Sequence, residues 1–213
     1  MEKMNKNPDG IIFDVDGTIW DSTASVEKLW NEAIEENSNL SVRVHKDQLK
    51  QLFGKTMEEI GDILFPMVDV PERRRLEEAC HKKENDGLRK YPGIMYEGME
   101  EALAKLSEKY PLYIVSNCQS GYIEMVLETL DLGKYITDYT CFGDTGEGKA
   151  ENLCRIVEKH QMEHPVYIGD TSGDYEACKK AGIPMIHAAY GFGEAPDAEA
   201  RIEKPLDLLT LIG

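Results

Sequence analysis

Long apolar runs are missing from this chain. No segment approaches the ~20 consecutive apolar residues that a membrane-spanning helix needs, and residues 1–8 are polar and charged, unlike the apolar core of a secretory leader. Basic charge is scarce as well. Lys+Arg number 24 against Asp+Glu 40, a formal net charge of -16. A surface of that sign repels nucleic acid and anionic membranes, so neither is expected as a partner. It also gives no general attraction for phosphate esters, and any phosphate chemistry must draw on local cations or backbone amides. The five cysteines, Cys80, Cys118, Cys141, Cys154 and Cys178, are odd in number and contain no C-x-x-C pair. Their spacing argues against a disulfide framework or a structural zinc site, and a reducing cytoplasm is the expected setting. Internal repeats, low-complexity tracts and long linkers are absent too.

What is present suits a globular enzyme-sized chain: 213 residues, 41% of them hydrophobic, enough to bury a core in one domain or two. Short apolar runs at 10–14, 112–116, 139–142, 166–169 and 183–187 alternate with amphipathic stretches. Met99, Leu103, Leu106 and Tyr110 share one helical face, as do Ile123, Val126, Leu127 and Leu130, and again Leu153, Ile156, Val157 and His160. A further helix is expected over 175–181, stopped by Gly182 with Pro184 beyond. The alternation predicts an α/β fold, a parallel sheet with helices on both faces. Residues 22–89 break the pattern, showing helical periodicity without a strand. Trp30 and Ile34 repeat at helical spacing, as do Ile60, Ile63 and Leu64; Thr56 with Glu59 reads as a capping box, and Pro71 as a helix start. The expected organisation is a core built from 1–21 and 90–213, with a helical cap at 22–89 above the sheet's C-terminal edge.

The chemistry begins where the first strand ends, in Phe13-Asp14-Val15-Asp16-Gly17-Thr18. Strand C-termini line the ligand crevice of open α/β sheets. Two clustered carboxylates repel unless a proton or metal lies between them, and magnesium binds through one or two carboxylates plus phosphate oxygens. The plainer alternative is a polar turn, since Asp and Gly are common there. The second strand ends in Ser116-Asn117, a hydroxyl and an amide suited to a phosphate or, for Ser116, to a helix N-cap. The fourth ends in Gly169-Asp170-Thr171-Ser172-Gly173-Asp174, which places Asp170 level with Asp14 and leaves Asp174 either at the site or in a first helical turn. Lys149 opens a helix, where a cation opposes the helix dipole. A bound phosphate and nearby carboxylates would explain that placement, as would a solvated pair with Glu147 or Glu151.

In that order, FDVDGTIWDS, IVSN, Lys149 and GDTSGD resemble the four motifs of the haloacid dehalogenase-like hydrolase superfamily. The helical segment after the first motif is similar to the cap of its phosphoglycolate phosphatase-like and β-phosphoglucomutase-like members. The resemblance implies a Rossmann-like three-layer core, with strand order 5-4-1-2-3 and an inserted all-helical cap. It implies Asp14 as a nucleophile that takes a phosphoryl group, and Asp16 as the acid and base. Ser116 and Asn117 would hold phosphate oxygens, and Lys149 would steady Asp14 and the phosphate. Mg2+ would be held by Asp14, the Asp16 carbonyl and Asp170, with Asp174 beside or behind them. The implied reaction is hydrolysis of a small phosphorylated metabolite by a monomer or weak dimer; alternatives are a β-phosphoglucomutase-like transfer and a non-catalytic phosphometabolite sensor. Asp16 disfavours dehalogenation, because the superfamily's dehalogenases lack that second aspartate. Ala150 stands where the third motif often has proline. Substrate choice is expected to involve Trp20, Phe53 and Lys55, while Gly191-Phe192-Gly193 reads as a turn.

Overall fold

The computed structural model describes residues 7–212. In chain order its elements are β1 (Gly10–Phe13), β2 (Trp20–Asp21), α1 (Thr23–Asn37), α2 (Lys46–Leu52), α3 (Met57–Leu64), α4 (Val70–Leu88) and β3 (Ile94–Met95), then α5 (Met99–Ser107), β4 (Leu112–Ser116), α6 (Tyr122–Thr129), β5 (Asp138–Cys141) and α7 (Phe142–Thr145). They continue through α8 (Lys149–His160), β6 (Pro165–Gly169), α9 (Ser172–Ala181), β7 (Met185–Ala188), β8 (Ala200–Ile202) and α10 (Leu208–Leu211).

Every residue of β1, β4 and β7 is buried. Strands covered on both faces lose the polar alternation of half-exposed strands and read as unbroken apolar runs. These strands form a six-stranded sheet, order β5-β4-β1-β6-β7-β8, in which all pairings are parallel. Numbered within the sheet from its β8 edge, the order is 6-5-4-1-2-3. The five expected strands therefore keep their relative order. One detail differs: β8, a short strand carrying an exposed Arg201, extends the edge beyond β7. Alternate residues feed two cores. Phe13, Ile114 and Ile168 point to one face, and Ile12, Tyr113, Val115 and Tyr167 to the other, against Leu153 and Ile156 of α8.

Register decides where the site lies. Phe13 pairs with Ile114 of β4 and with Ile168 of β6, so the loops after these three strands emerge level. Beside β1 the chain order runs outward in opposite directions, and such a reversal opens a crevice at the strands' C-terminal ends.

Helices α1 to α4 form the helical block, and its interior, including Trp30, Ile34, Leu76 and Leu88, is continuous with one sheet core. Thr56 and Glu59 do close a capping box on α3. Asp69 caps α4, whose first residue is Val70, one before Pro71. Ile63 departs from the expected buried face: it is 48% exposed, because α3 turns Ile60, Gly61 and Leu64 inward instead. A two-residue antiparallel ribbon, β2 with β3, pairs Trp20 with Met95 and Asp21 with Ile94. It brings together the two chain crossings between block and sheet.

Candidate active site

Asp14 leaves the end of β1 buried, and its carboxylate Oδ1 accepts a hydrogen bond from Lys149 Nζ at 2.9 Å. The same ammonium donates to Asp174 Oδ1. Lys149 is the first residue of α8 and is itself buried. Burial alone would push its pKa down, but Asp14 and Asp174 overcome this and hold it above the usual lysine value. The cation at a helix N-terminus is thus explained by the carboxylates it faces, not by solvent.

Asp174 is saturated. Its Oδ1 also accepts from the Tyr167 hydroxyl at 3.2 Å, and its Oδ2 accepts from Thr171 N at 2.9 Å, Thr171 Oγ1 at 2.7 Å and Asp170 N at 3.2 Å. This is the capping box that starts α9 at Ser172, three residues before the sequence suggested. Burial would raise the Asp174 pKa, but Lys149 and the Thr171 donors hold it below the ordinary range.

Oxygens of Asp14, Asp170 and Asp174 lie within 4.8 Å of one another. For Asp170, burial and then the charges of Asp174 and Asp14 push the carboxyl well up; Asp14 is raised by burial against the pull of Lys149. One lysine does not balance three buried carboxylates, and the donor set is all oxygen, which suits a hard divalent cation. The backbone makes room for it. Gly17 has φ of 82°, and a Cβ there would lie 2.2 Å from Asp170 Oδ2. The loop of Gly191-Phe192-Gly193 is more than a turn, since Phe192 N donates to Asp170 Oδ2 at 2.7 Å.

Asp16 has a different environment. Its Oδ1 accepts from Ser22 Oγ at 2.7 Å and from the Tyr122 hydroxyl at 2.8 Å. Burial pushes its carboxyl up to about 7, with those two donors pulling the other way. Asp14 and Asp16, two residues apart, therefore differ in kind: one is pinned by an ammonium, the other is poised near neutrality.

Asp14, Asp16, Ser116 and Asn117 line a cavity of about 30 Å³ whose opposite wall is helical: Trp30, Ile60 and Glu84, with Phe53, Gly54 and Lys55 at the loop before α3. That is room for a couple of waters at most. A larger open groove, about 410 Å³, runs along the outer side of α8 and holds none of the motif side chains. Asn117 Nδ2 donates to Gly54 O at 2.7 Å, and the Phe53 ring meets Phe192 edge-on at 6.0 Å, so helical block and sheet are closed on each other. Ser116 ends β4 without capping a helix, because α6 begins at Tyr122 after Gly121. Lys55 is exposed at the cavity rim. Trp20 lies in the core, edge-on to Tyr122 at 6.2 Å and outside the cavity wall, with its indole N–H facing Asp16 but closing no hydrogen bond of normal geometry.

Three neighbours were not singled out from sequence: Ser22, Tyr122 and Glu84. Each sits on a helix or helix cap whose local pattern is satisfied by other residues, and only the tertiary fold aims them at the site. Glu84 Oε2 accepts from Trp30 Nε1 at 2.6 Å, and burial pushes its carboxyl up to about 8.

These features define a class. Residues 11–188 match the family model described as haloacid dehalogenase-like hydrolase, and the chain belongs to that family. Within it the chain is an enzyme of the phosphoglycolate phosphatase-like group. It is 26% identical over 210 residues to a phosphoglycolate phosphatase of Agrobacterium fabrum, covering 92% of this chain and 87% of that one. The fold matches a predicted phosphoglycolate phosphatase from Haemophilus somnus with a TM-score of 0.84 at 16% identity, over 99% of this chain and 100% of that one. It also matches CbbY from Rhodobacter sphaeroides, solved in complex with phosphate, with a TM-score of 0.80 at 16% identity, covering 94% and 96% of the two chains. Among the described residues no helix is long and apolar enough to cross a membrane.

Proposed function

We propose that this phosphatase hydrolyses small phosphorylated metabolites in two steps through an aspartyl-phosphate on Asp14, with magnesium. The observation that carries the reading is the contrast at the end of β1: Asp14 held by Lys149 at 2.9 Å, and Asp16 facing the same cavity with its carboxyl near neutrality. Phosphate monoesters are among the slowest substrates to hydrolyse without a catalyst, and a carboxylate nucleophile divides the barrier in two. In the first step an Asp14 oxygen bonds to phosphorus, the ester oxygen departs, and Asp16 gives it a proton. In the second, Asp16 takes a proton from water, whose oxygen attacks phosphorus and frees Asp14 and inorganic phosphate.

Ser116 and Asn117 orient phosphoryl oxygens, and Lys149 offsets their charge. Mg2+ would be held by Asp14, Asp170 and the Asp16 carbonyl, where it supplies further positive charge against the phosphoryl group. Asp174 acts behind this shell, its oxygens already committed to Lys149, Tyr167, Thr171 and the Asp170 backbone. Residues 22–89 act as a cap that moves to admit substrate, since the cavity between helical block and sheet has room for only about 30 Å³. The curated relatives, named as phosphatases, favour release to water over transfer to a second hydroxyl.

The test is phosphate release from a panel of monoesters with Mg2+, comparing wild type with Asp14→Asn. The variant is nearly isosteric and should keep its circular dichroism spectrum while losing turnover by several orders of magnitude. Near-normal turnover in Asp14→Asn would overturn the covalent mechanism, and conversion of β-glucose 1-phosphate to glucose 6-phosphate without release of free phosphate would replace hydrolysis by mutase chemistry.

A further inference from the structure

Glu84 projects from α4 into the cavity wall opposite Asp14 and Asp16, and is 4% exposed. Among the described residues no cationic side chain pairs with it; its partner is the Trp30 indole N–H at 2.6 Å, with the Gln119 side chain nearby but closing no hydrogen bond of normal geometry to it. The Gln119 amide donates instead to Asn85 Oδ1 at 3.0 Å. A carboxyl buried without a cation depends on hydrogen bonds and on keeping its proton, and the Trp30 indole is its one hydrogen-bond donor of normal geometry among the described residues. Asn117, on the same cavity, has a buried Oδ1 with no hydrogen-bond partner, its Nδ2 being held by Gly54 O. The rest of the helical wall is Trp30, Met57 and Ile60. The lysine on the wall, Lys55, is exposed at the rim.

The cap side of the cavity thus offers the Glu84 carboxyl and apolar surface, while the donors Ser116 and Asn117 lie on the sheet side where the phosphoryl group sits. A ligand completes such a site by bringing donors, and one bringing another acceptor leaves buried groups unpaired. We infer that Glu84 sets the substrate class: the leaving group carries a hydrogen-bond donor, an ammonium or an alcohol hydroxyl, to the cap wall and carries no second anion there. Whether ionised or protonated, Glu84 keeps an accepting oxygen, so both kinds of donor find a partner. This inference rests on the phosphatase reading and sharpens its substrate. It also separates this chain from relatives named for phosphoglycolate, whose carboxylate would meet Glu84.

The experiment measures kcat/KM, with Mg2+, for ethanolamine phosphate, glycerol 1-phosphate, 2-phosphoglycolate and acetyl phosphate. At least one of the first two should exceed 2-phosphoglycolate by about tenfold or more. Glu84→Leu should lower the kcat/KM of the preferred ester relative to acetyl phosphate by about 10- to 100-fold. Glu84→Gln keeps the acceptor for Trp30 and decides the matter should Glu84→Leu not fold. A fall confined to ethanolamine phosphate identifies an ammonium, and a fall for glycerol 1-phosphate a hydroxyl. A preference for 2-phosphoglycolate, or the same substrate ranking in wild type and both variants, overturns the inference while leaving the phosphatase reading in place. Failure to hydrolyse any of the four, acetyl phosphate included, removes both.

Discussion

The Tyr122 hydroxyl donates to Asp16 Oδ1 at 2.8 Å across 106 residues of chain. Ser22 Oγ completes a triangle, 2.7 Å from Asp16 and 3.3 Å from the Tyr122 oxygen. Both donors favour the ionised carboxylate and so restrain a pKa that burial pushes up to about 7. Tyr122→Phe removes one donor and should raise that pKa further. Asp16 must be protonated to serve the leaving group, so kcat falls as pH rises through it. The alkaline limb of the pH–rate profile should therefore move upward, by about half a unit to one unit. A limb that stays in place or moves down contradicts the acid role.

Stability should depend on pH with a sign opposite to that of a salt-bridged carboxylate. Asp16 and Glu84 are raised to about 7 and about 8 in the fold, against ordinary values of roughly 4. The folded state then binds more protons than the unfolded chain over that interval, and the contribution is present below pH ~4 and lost as pH rises through the folded values. In metal-free buffer the Tm should fall from pH ~5 to pH ~8, and Glu84→Gln should flatten the upper part of that slope. A Tm that stays flat or climbs across the window would count against raised values for these two carboxyls.

Much of this arrangement could be read in the sequence because it rests on local signals. The runs that became β1, β4 and β6 are largely apolar and end beside the candidate site, so Asp14, Ser116 and Asp170 were legible as strand ends. The Thr56–Glu59 capping box was legible for the same reason. Strand β8 was not: three residues with one buried side chain carry no periodicity. The ribbon β2–β3 is shorter still and exists because Trp20 and Met95 meet in space. Ile63 misled because helical spacing alone does not say how wide the buried stripe is. Asp174 was readable as either a site residue or a first-turn acid, and the structure makes it both a cap for α9 and a partner for Lys149. Tyr122 and Glu84 left no local trace, since a buried aromatic and a helical glutamate look the same with or without a carboxyl to face.

Metal dependence should appear in stability as well as in turnover. With oxygens of Asp14, Asp170 and Asp174 within 4.8 Å of one another, Mg2+ offsets repulsion that the folded chain otherwise bears. At a concentration near 100 Kd a bound ligand stabilises by about 2.7 kcal/mol, a Tm rise of several degrees for a chain of this size. Asp170→Asn should remove most of that rise and raise the metal-free Tm, because one of the repelling charges is gone. Differential scanning fluorimetry with Mg2+ and with EDTA checks both. An undiminished Mg2+ shift in Asp170→Asn would place the ion elsewhere.

Gly17 supplies the last prediction, because two independent constraints meet there. Its φ of 82° is a conformation that side chains rarely adopt, and the space a Cβ needs is filled by the Asp170 carboxylate, 2.2 Å from Oδ2. Gly17→Ala therefore strains the turn after Asp16 and pushes Asp170 away from Asp14. The backbone strain should cost about 1–3 kcal/mol in urea unfolding. Displacement of Asp170 should also shrink the Mg2+-induced Tm rise, which a purely local strain would leave intact. Ala at Gly133, where nothing lies within 4 Å of the added methyl, is the control and should keep the full Mg2+ response. A Gly17→Ala protein that loses stability but responds to Mg2+ like the control would mean that the turn and the carboxylate cluster are not coupled.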